Sequence, residues 1–210
     1  MTTSQLLIPH APADPAAEAQ ALLLAGGRPK TWEHVRAVAQ KCVEIGREYG
    51  VEPERCRTAG LLHDVSAVVP AADMLAYAES EGWEIDPAER AHPFLLHQRL
   101  SEVAAQTRFG VTDGAVLAAI RCHTTLRAAP SPCDMALFLA DKLAWDQPGE
   151  PPFRSVIEDG LSVSLELASL RYIEYVLDHG MILMPHRWLM EALAWLRAHA
   201  GSPAAGGGAR

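Results

Sequence analysis

The stretch Ala59-Gly60-Leu61-Leu62-His63-Asp64-Val65 decides how the rest of the chain is read. An imidazole followed at once by a carboxylate, behind an apolar helical run, puts two polar groups where a core should be. Burying a charge is costly unless it is paired or bound to a metal. The same juxtaposition recurs downstream, where Leu95-Leu96 precedes His97 and Leu139-Ala140 precedes Asp141. With His34 and His123 these residues form one ordered set: His34, His63-Asp64, His97, His123, Asp141. Four His and two Asp suffice for two borderline cations with one Asp between them. On a continuous helix His63 and Asp64 would stand about 100° apart and reach neighbouring points of one cavity. The arrangement expected is His34, His63 and Asp141 around one cation and His97 with His123 around the other, with Asp64 giving one oxygen to each. Open positions then remain for water and substrate oxygens, as a catalytic site needs. Imidazole-rich sites suit Fe, Mn, Co, Ni or Zn better than Mg. The expected chemistry is hydrolysis of a phosphate ester or anhydride, with hydroxide generated at the metals as nucleophile.

Composition sets the frame for that chemistry. A chain of 210 residues holds one large domain or one domain with extensions, and 49% hydrophobic content supports a sizeable core. The net charge of -8 argues against a general nucleic-acid surface. Phosphates can still bind if metals supply the positive charge. Cys42, Cys56, Cys122 and Cys133 show no C-x-x-C spacing, which disfavours a zinc ribbon and suits free thiols in a reducing compartment. Met1 to Pro15 has no basic leader segment, and the longest apolar runs fall far short of the roughly 18 residues that span a bilayer. The expected location is the cytoplasm, with no membrane and no nucleic acid as partner.

Turn and cap residues divide the chain into helices. Residues 1–28, rich in Ala and Pro, read as a flexible extension with a short helix over Ala16 to Leu24; 29–200 read as the helical domain, and 201–210 as a disordered tail. Thr31 is a plausible N-cap that puts His34 at the third helical position. Val35, Val38, Ala39, Cys42, Val43 and Ile45-Gly46 then continue an apolar stripe. Glu52-Pro53-Glu54 opens the helix of the dyad, and Ala71 to Glu81 is a helix stopped at Gly82. Asp86-Pro87 leads into the His97 helix, Asp113 caps the helix ending in His123, and Ser131-Pro132 opens the helix of Asp141. Phe153 to Gly180 and Pro185 to Ala200 supply the last helices. No window shows strand alternation, so the fold class is all-α.

The order His34, His63-Asp64, His97, His123, Asp141 resembles that of the HD-domain metal phosphohydrolases. The segments Leu95-Leu96-His97, Ala119-Ile120-Arg121-Cys122-His123-Thr124-Thr125 and Leu139-Ala140-Asp141-Lys142 look like the YqeK-type branch, the symmetrical bis(5'-nucleosyl)-tetraphosphatases. The likeness runs over roughly residues 30–175. It implies an HD-domain helical bundle with a dinuclear metal site in its centre, the six residues as ligands and Asp64 bridging. It further implies two divalent or mixed-valence transition metals, usually iron, and cleavage of diadenosine tetraphosphate into two ADP. A homodimer is compatible with such a family. The chain departs from the pattern at Gln98 and Ser101, where the family often has Gly. It departs again over Lys142-Leu143-Ala144-Trp145-Asp146-Gln147-Pro148-Gly149, where the family commonly runs into Glu-Pro-x-Arg. These departures leave the exact nucleotide less fixed than the metals. A phosphohydrolase for another nucleotide or phosphoester is the first alternative. A non-catalytic nucleotide-binding regulatory module is the second. A cyclic-dinucleotide phosphodiesterase is weakened by the lack of a Gly-Tyr-Pro stretch.

Around the ligands, Asp64 and Lys142 are the catalytic candidates. Thr124, Thr125, Arg127 and Lys142 are the candidates for holding substrate phosphates. Helix capping competes for Thr124, Thr125 and Arg127, and an ion pair with a neighbouring acid competes for Lys142. Trp145 reads as a core residue that could instead stack on a base. His92 is the rival of His97, and the Leu-Leu context favours His97. His10, His179, His186 and His199 read as structural or exposed.

Overall fold

Cap residues and prolines cut the chain where the sequence pattern places the breaks. The computed structural model describes residues 1–145 and 147–200, so the tail expected to be disordered over 201–210 lies outside the described residues. The described residues form twelve α-helices: α1 (Thr3–Leu6), α2 (Pro15–Ala25), α3 (Pro29–Glu48), α4 (Pro53–Leu62), α5 (Ala71–Ser80), α6 (Pro87–Ala91), α7 (His97–Thr107), α8 (Gly114–Cys122), α9 (Pro132–Leu143), α10 (Arg154–Leu161), α11 (Leu165–Asp178) and α12 (Arg187–His199). Short 3₁₀ turns follow α4 at Val65–Val68 and precede α7 at Pro93–Leu96. No strand occurs among the described residues, and the fold is all-α. Asp14, Glu52, Asp86, Asp113, Ser131 and Ser164 each accept a backbone N–H at a helix start, satisfying donors that have no intrahelical partner.

The bundle is organised around α9. Cys133, Met135, Ala136, Leu137, Phe138, Leu139 and Ala140 are all buried, and α9 packs against α3, α4, α8 and α11. A helix buried on nearly every side, with Asp134 its one fully buried charge, belongs at the centre of the fold. Asp141 lies in its last turn, so the core itself delivers that carboxylate. Helix α3 shows the expected stripe, with Val35, Val38, Ala39, Cys42, Val43, Ile45 and Gly46 buried. It crosses α4 at Gly60, where an added Cβ would stand 2.4 Å from the Ala39 Cα. That contact sets the dyad beside His34. No single helix among the described residues is long and apolar enough to cross a membrane.

Four details differ from the sequence expectation. Helix α3 begins at Pro29 without a side-chain cap, not at Thr31, because Pro at the first helical position fixes φ early. The dyad lies past the last residue of α4, with Asp64 at φ -117° and ψ 17°, so the two side chains diverge from a helix end rather than from a helix face. The stretch 153–180 is two helices, because Ser164 caps a new start at Leu165. The first 28 residues are not loose. Leu6, Ala19, Leu22 and Leu23 are buried in the main core, and Arg108 donates to Glu18 at 3.0 and 2.6 Å.

Two substitutions probe this packing. Leu23→Ala should cost about 2–5 kcal/mol in denaturant unfolding, where a residue in a loose extension would cost under about 0.5 kcal/mol. Gly60→Ala should cost about 1–3 kcal/mol by forcing α4 off the backbone of α3.

Candidate metal centre

Four imidazoles are aimed by helix-end carbonyls. His63 Nδ1 donates to Gly60 O at 2.7 Å, His97 Nδ1 to Phe94 O at 2.6 Å, and His123 Nδ1 to Ile120 O at 2.8 Å. In all three the acceptor stands three residues back, in the final turn of α4, the Pro93–Leu96 turn and α8. His34, inside α3, donates to Ala144 O, the cap of α9, at 3.2 Å. A carbonyl oxygen has two lone pairs, so it can take a ring N–H even where, as at Phe94, it also accepts a backbone N–H. A carbonyl only accepts, so each Nδ1 carries the hydrogen and each Nε2 presents a lone pair.

Those lone pairs converge with two carboxylates. His34 Nε2 is 3.0 Å and His63 Nε2 3.5 Å from Asp141 Oδ1. Asp64 Oδ2 lies 3.8 Å from His63 Nε2, while its Oδ1 lies 3.3 Å from His97 and 3.6 Å from His123. Asp64 therefore turns one oxygen to each half of the cluster. His97 Nε2 and His123 Nε2 face each other at 3.0 Å, two acceptors with nothing to share unless a cation or proton lies between them. His63 Nε2 and Asp64 Oδ1 are buried without a hydrogen-bond partner among the described residues. Orphaned buried acceptors in an imidazole–carboxylate set are what a borderline divalent metal satisfies. Two groups have the required spacing, His34 with His63 and Asp141, and His63 with Asp64 and His123. The donors fit Fe, Mn, Co, Ni or Zn, and the carbonyl behind each ring is the outer support such ligands need.

Titration directions express the same shortage of positive charge. Burial works to raise the Asp64 carboxyl, but His63, His123 and His97 outweigh it and hold it well below the usual carboxylate range. Burial also works to raise Asp141, which Lys142, His34 and His63 hold down. Burial pushes His123 down to about 4. It works in the same direction on His63, where Asp64 and Asp141 prevail and raise the imidazole instead.

Of the substrate candidates, Lys142 and Thr124 stand at the cluster. Lys142 Nζ donates to Asp141 Oδ2 at 2.6 Å, and Thr124 Oγ1 lies 3.2 Å from His97 Nε2. Thr125 lines the same cleft, with its hydroxyl donating to Leu126 O at 3.0 Å. Arg127 is not brought there. Its guanidinium binds the fully buried Asp134 at 2.9 and 2.7 Å, because a carboxylate enclosed by α9 must be neutralised. Trp145 packs edge-on against Phe153 and lines a cavity beside His34. His92 lies outside the cluster, on the wall of the cleft.

Sequence reading missed the supports. Gln98 Oε1 accepts the Thr124 N–H at 3.3 Å. Ser101 Oγ donates to Ser66 Oγ at 2.9 Å, and Ser66 Oγ to His97 O at 2.9 Å. The two departures from the family pattern, Gln98 and Ser101, thus tie α7 to the turns that carry His123 and the dyad. It also missed the cleft wall formed by Phe94, Tyr172 and Met181 to Met184, whose one visible signal is an apolar run between Gly180 and Pro185.

Two cavities meet at the cluster. One, about 340 Å³, reaches it through Thr124, Thr125 and Lys142. The other, about 360 Å³, reaches it through His34, Asp141 and Lys142. They share Lys142, Tyr172, Met181 and Ile182, so they are lobes of one cleft.

The chain is similar to known proteins. The family profile described as "HD domain" matches residues 31–146, a span that contains all six converging side chains. The chain is 40% identical over 134 residues to the "Uncharacterized protein in pepC 5'region" of Lactococcus lactis subsp. cremoris, covering 64% of this chain and 68% of that protein. It is 22% identical over 158 residues to the symmetrical bis(5'-nucleosyl)-tetraphosphatase of Bacillus subtilis (strain 168), covering 74% and 84%. Among solved structures it is similar, at TM-score 0.75 and 25% identity, to a "predicted HD superfamily hydrolase involved in NAD metabolism" from Clostridium acetobutylicum, covering 87% of this chain and 96% of that one.

Removing bound metal should expose the facing lone pairs and destabilise the fold. Chelation should lower the melting temperature by about 5–10 °C, the order expected when a ligand present at 100 times its Kd is withdrawn from a domain of this size. His63→Gln should melt at one temperature with or without the chelator. A wild-type curve that chelation leaves unmoved would contradict this.

Proposed function

The chain belongs to the HD-domain family, and on that premise we propose that it hydrolyses a phosphoanhydride in a dinucleoside polyphosphate, converting diadenosine tetraphosphate to two ADP. The two-lobed cleft carries this reading. Its lobes are similar in volume and meet at the His–Asp cluster, so a substrate with a nucleoside at each end would place its polyphosphate bridge there. The name of the Bacillus subtilis relative supports the same substrate.

In this reading His34, His63 and Asp141 would hold one cation and His97 with His123 the other, with one Asp64 oxygen available to each. The donor set admits iron, Mn, Co, Ni or Zn, and the family resemblance favours iron. When bound, such a pair supplies Lewis-acid charge for the phosphoryl oxygens and lowers the pKa of water. The chain's own residues do the rest. Lys142 stands where the lobes join, its charge maintained by Asp141 against the pull of burial, and offers a cation to the bridge. Thr124 offers a hydroxyl beside His97. Water forms the new O–P bond and gives up a proton to solvent, the bridging P–O bond breaks, and the leaving ADP carries the electron pair. Lys142 stabilises the charge that develops on it.

The test is turnover of diadenosine tetraphosphate by protein purified with its metals, with products resolved by ion-exchange chromatography. ADP should be the sole product. His63→Ala and Asp64→Asn should lose activity by 100-fold or more, and Lys142→Ala by on the order of 100-fold. AMP with ATP would overturn symmetric cleavage. No turnover with both metals bound would move the substrate to another nucleotide or phosphoester, to be found with a broad panel.

A further inference from the structure

Four of the nine exposed large apolar side chains among the described residues line one concave wall. Phe94 is 57% exposed, Met181 46%, Leu183 87% and Met184 42%, and all four line the lobe of about 340 Å³ beside His97. Leaving such surface in water is unfavourable, and a contiguous apolar patch in a concave wall marks a binding site. The lobe also has a polarity gradient. Its inner end, at the cluster, carries Thr124, Thr125 and Lys142, while its outer end is carbon-rich. A nucleoside phosphate has the same gradient, with oxyanions at one end and a flat apolar-faced base at the other.

We propose that this lobe is the seat of one substrate base, which stacks on Phe94 under the Met181–Met184 segment. The proposal rests on the dinucleoside reading above and names the residues that would hold one of its arms.

Phe94 has two separable parts. Its carbonyl accepts the His97 Nδ1–H, while its ring lies nearly parallel to the His97 ring, at 16° with centroids 6.3 Å apart. A base on the ring is therefore held at a fixed offset from the cluster. The segment opposite joins α11 to α12 and carries two thioethers, which adapt to a flat partner and contact aromatic rings favourably. Few groups at the outer end remain to read a base edge. His186 Nδ1 already accepts the Trp188 N–H at 3.0 Å, and its Nε2 faces Glu89 at 3.6 Å. The His92 ring and the Tyr172 hydroxyl are the polar groups on this wall without a hydrogen bond among the described residues, and Tyr172 stands where the two lobes join. Recognition is thus by stacking and apolar contact.

The test is calorimetric binding of ADP and of inorganic pyrophosphate to the full-length, metal-loaded protein, comparing wild type with Phe94→Ala and Leu183→Ser. Wild type should bind ADP at least about 10-fold more tightly than pyrophosphate, the scale of one stacked base. Phe94→Ala keeps its carbonyl, so it should lose about 10-fold in ADP affinity while pyrophosphate affinity and metal content stay put. Leu183→Ser, at an exposed position that cannot disturb folding, should weaken ADP several-fold in the same selective way. Selective loss in both variants supports the seat even if diadenosine tetraphosphate is not turned over, in which case only the dinucleoside reading falls. Unchanged ADP affinity in both variants, equal losses for ADP and pyrophosphate, or no ADP preference in wild type would overturn the seat. Normal turnover of diadenosine tetraphosphate beside any of those results would leave the dinucleoside reading standing.

Discussion

Everything at the centre of this protein follows from one constraint: four imidazole lone pairs and two carboxylates, buried or part-buried, face a common point. Each ring is locked in the same tautomer by a carbonyl at a helix or turn end. Two Nε2 atoms 3.0 Å apart, with both hydrogens committed elsewhere, repel unless positive charge enters. Asp64, with one oxygen facing each half, and Asp141, tied to Lys142, leave the cluster short of cations. The fold holds that arrangement in a state that only metal or protons can satisfy.

The bundle is built to bring those helix ends together. The apolar helix α9 fixes Asp141 from below, and the close crossing of Gly60 on Ala39 fixes the dyad beside His34. Gln98, Ser66 and Ser101 bind α7 to the neighbouring turns by side-chain hydrogen bonds. These are buried polar contacts, rigid when fully paired. Because all of the converging groups except His34 come from helix ends rather than helix faces, one side of the cluster is left open. The two lobes of the cleft occupy that side, and Lys142 stands at their junction.

Much of this was legible in the sequence, because local rules governed it. The stripe from Val35 to Gly46, the caps at Asp86, Asp113 and Ser131, and the all-α class follow from periodicity and capping chemistry alone. The convergence was legible because the dyad, His97 and Asp141 each follow an apolar run that commits them to the interior. What failed was decided by tertiary contact. Leu22 and Leu23 lie in an Ala/Pro-rich stretch, and only a groove on the bundle makes them core. Arg127 sits beside the His-Thr-Thr stretch in sequence, yet buried Asp134 claims it. Phe94 lies in a 3₁₀ turn, and no periodicity separates an exposed ring that faces a cleft from one that faces bulk water.

The most direct test of the central claim is elemental analysis of the purified, metal-retaining protein by inductively coupled plasma mass spectrometry. A dinuclear centre requires about two transition-metal ions per chain, falling toward zero when His63 and Asp141 are replaced together by Ala and Asn. A wild-type protein that retains none, or a double variant that still holds two, would contradict it.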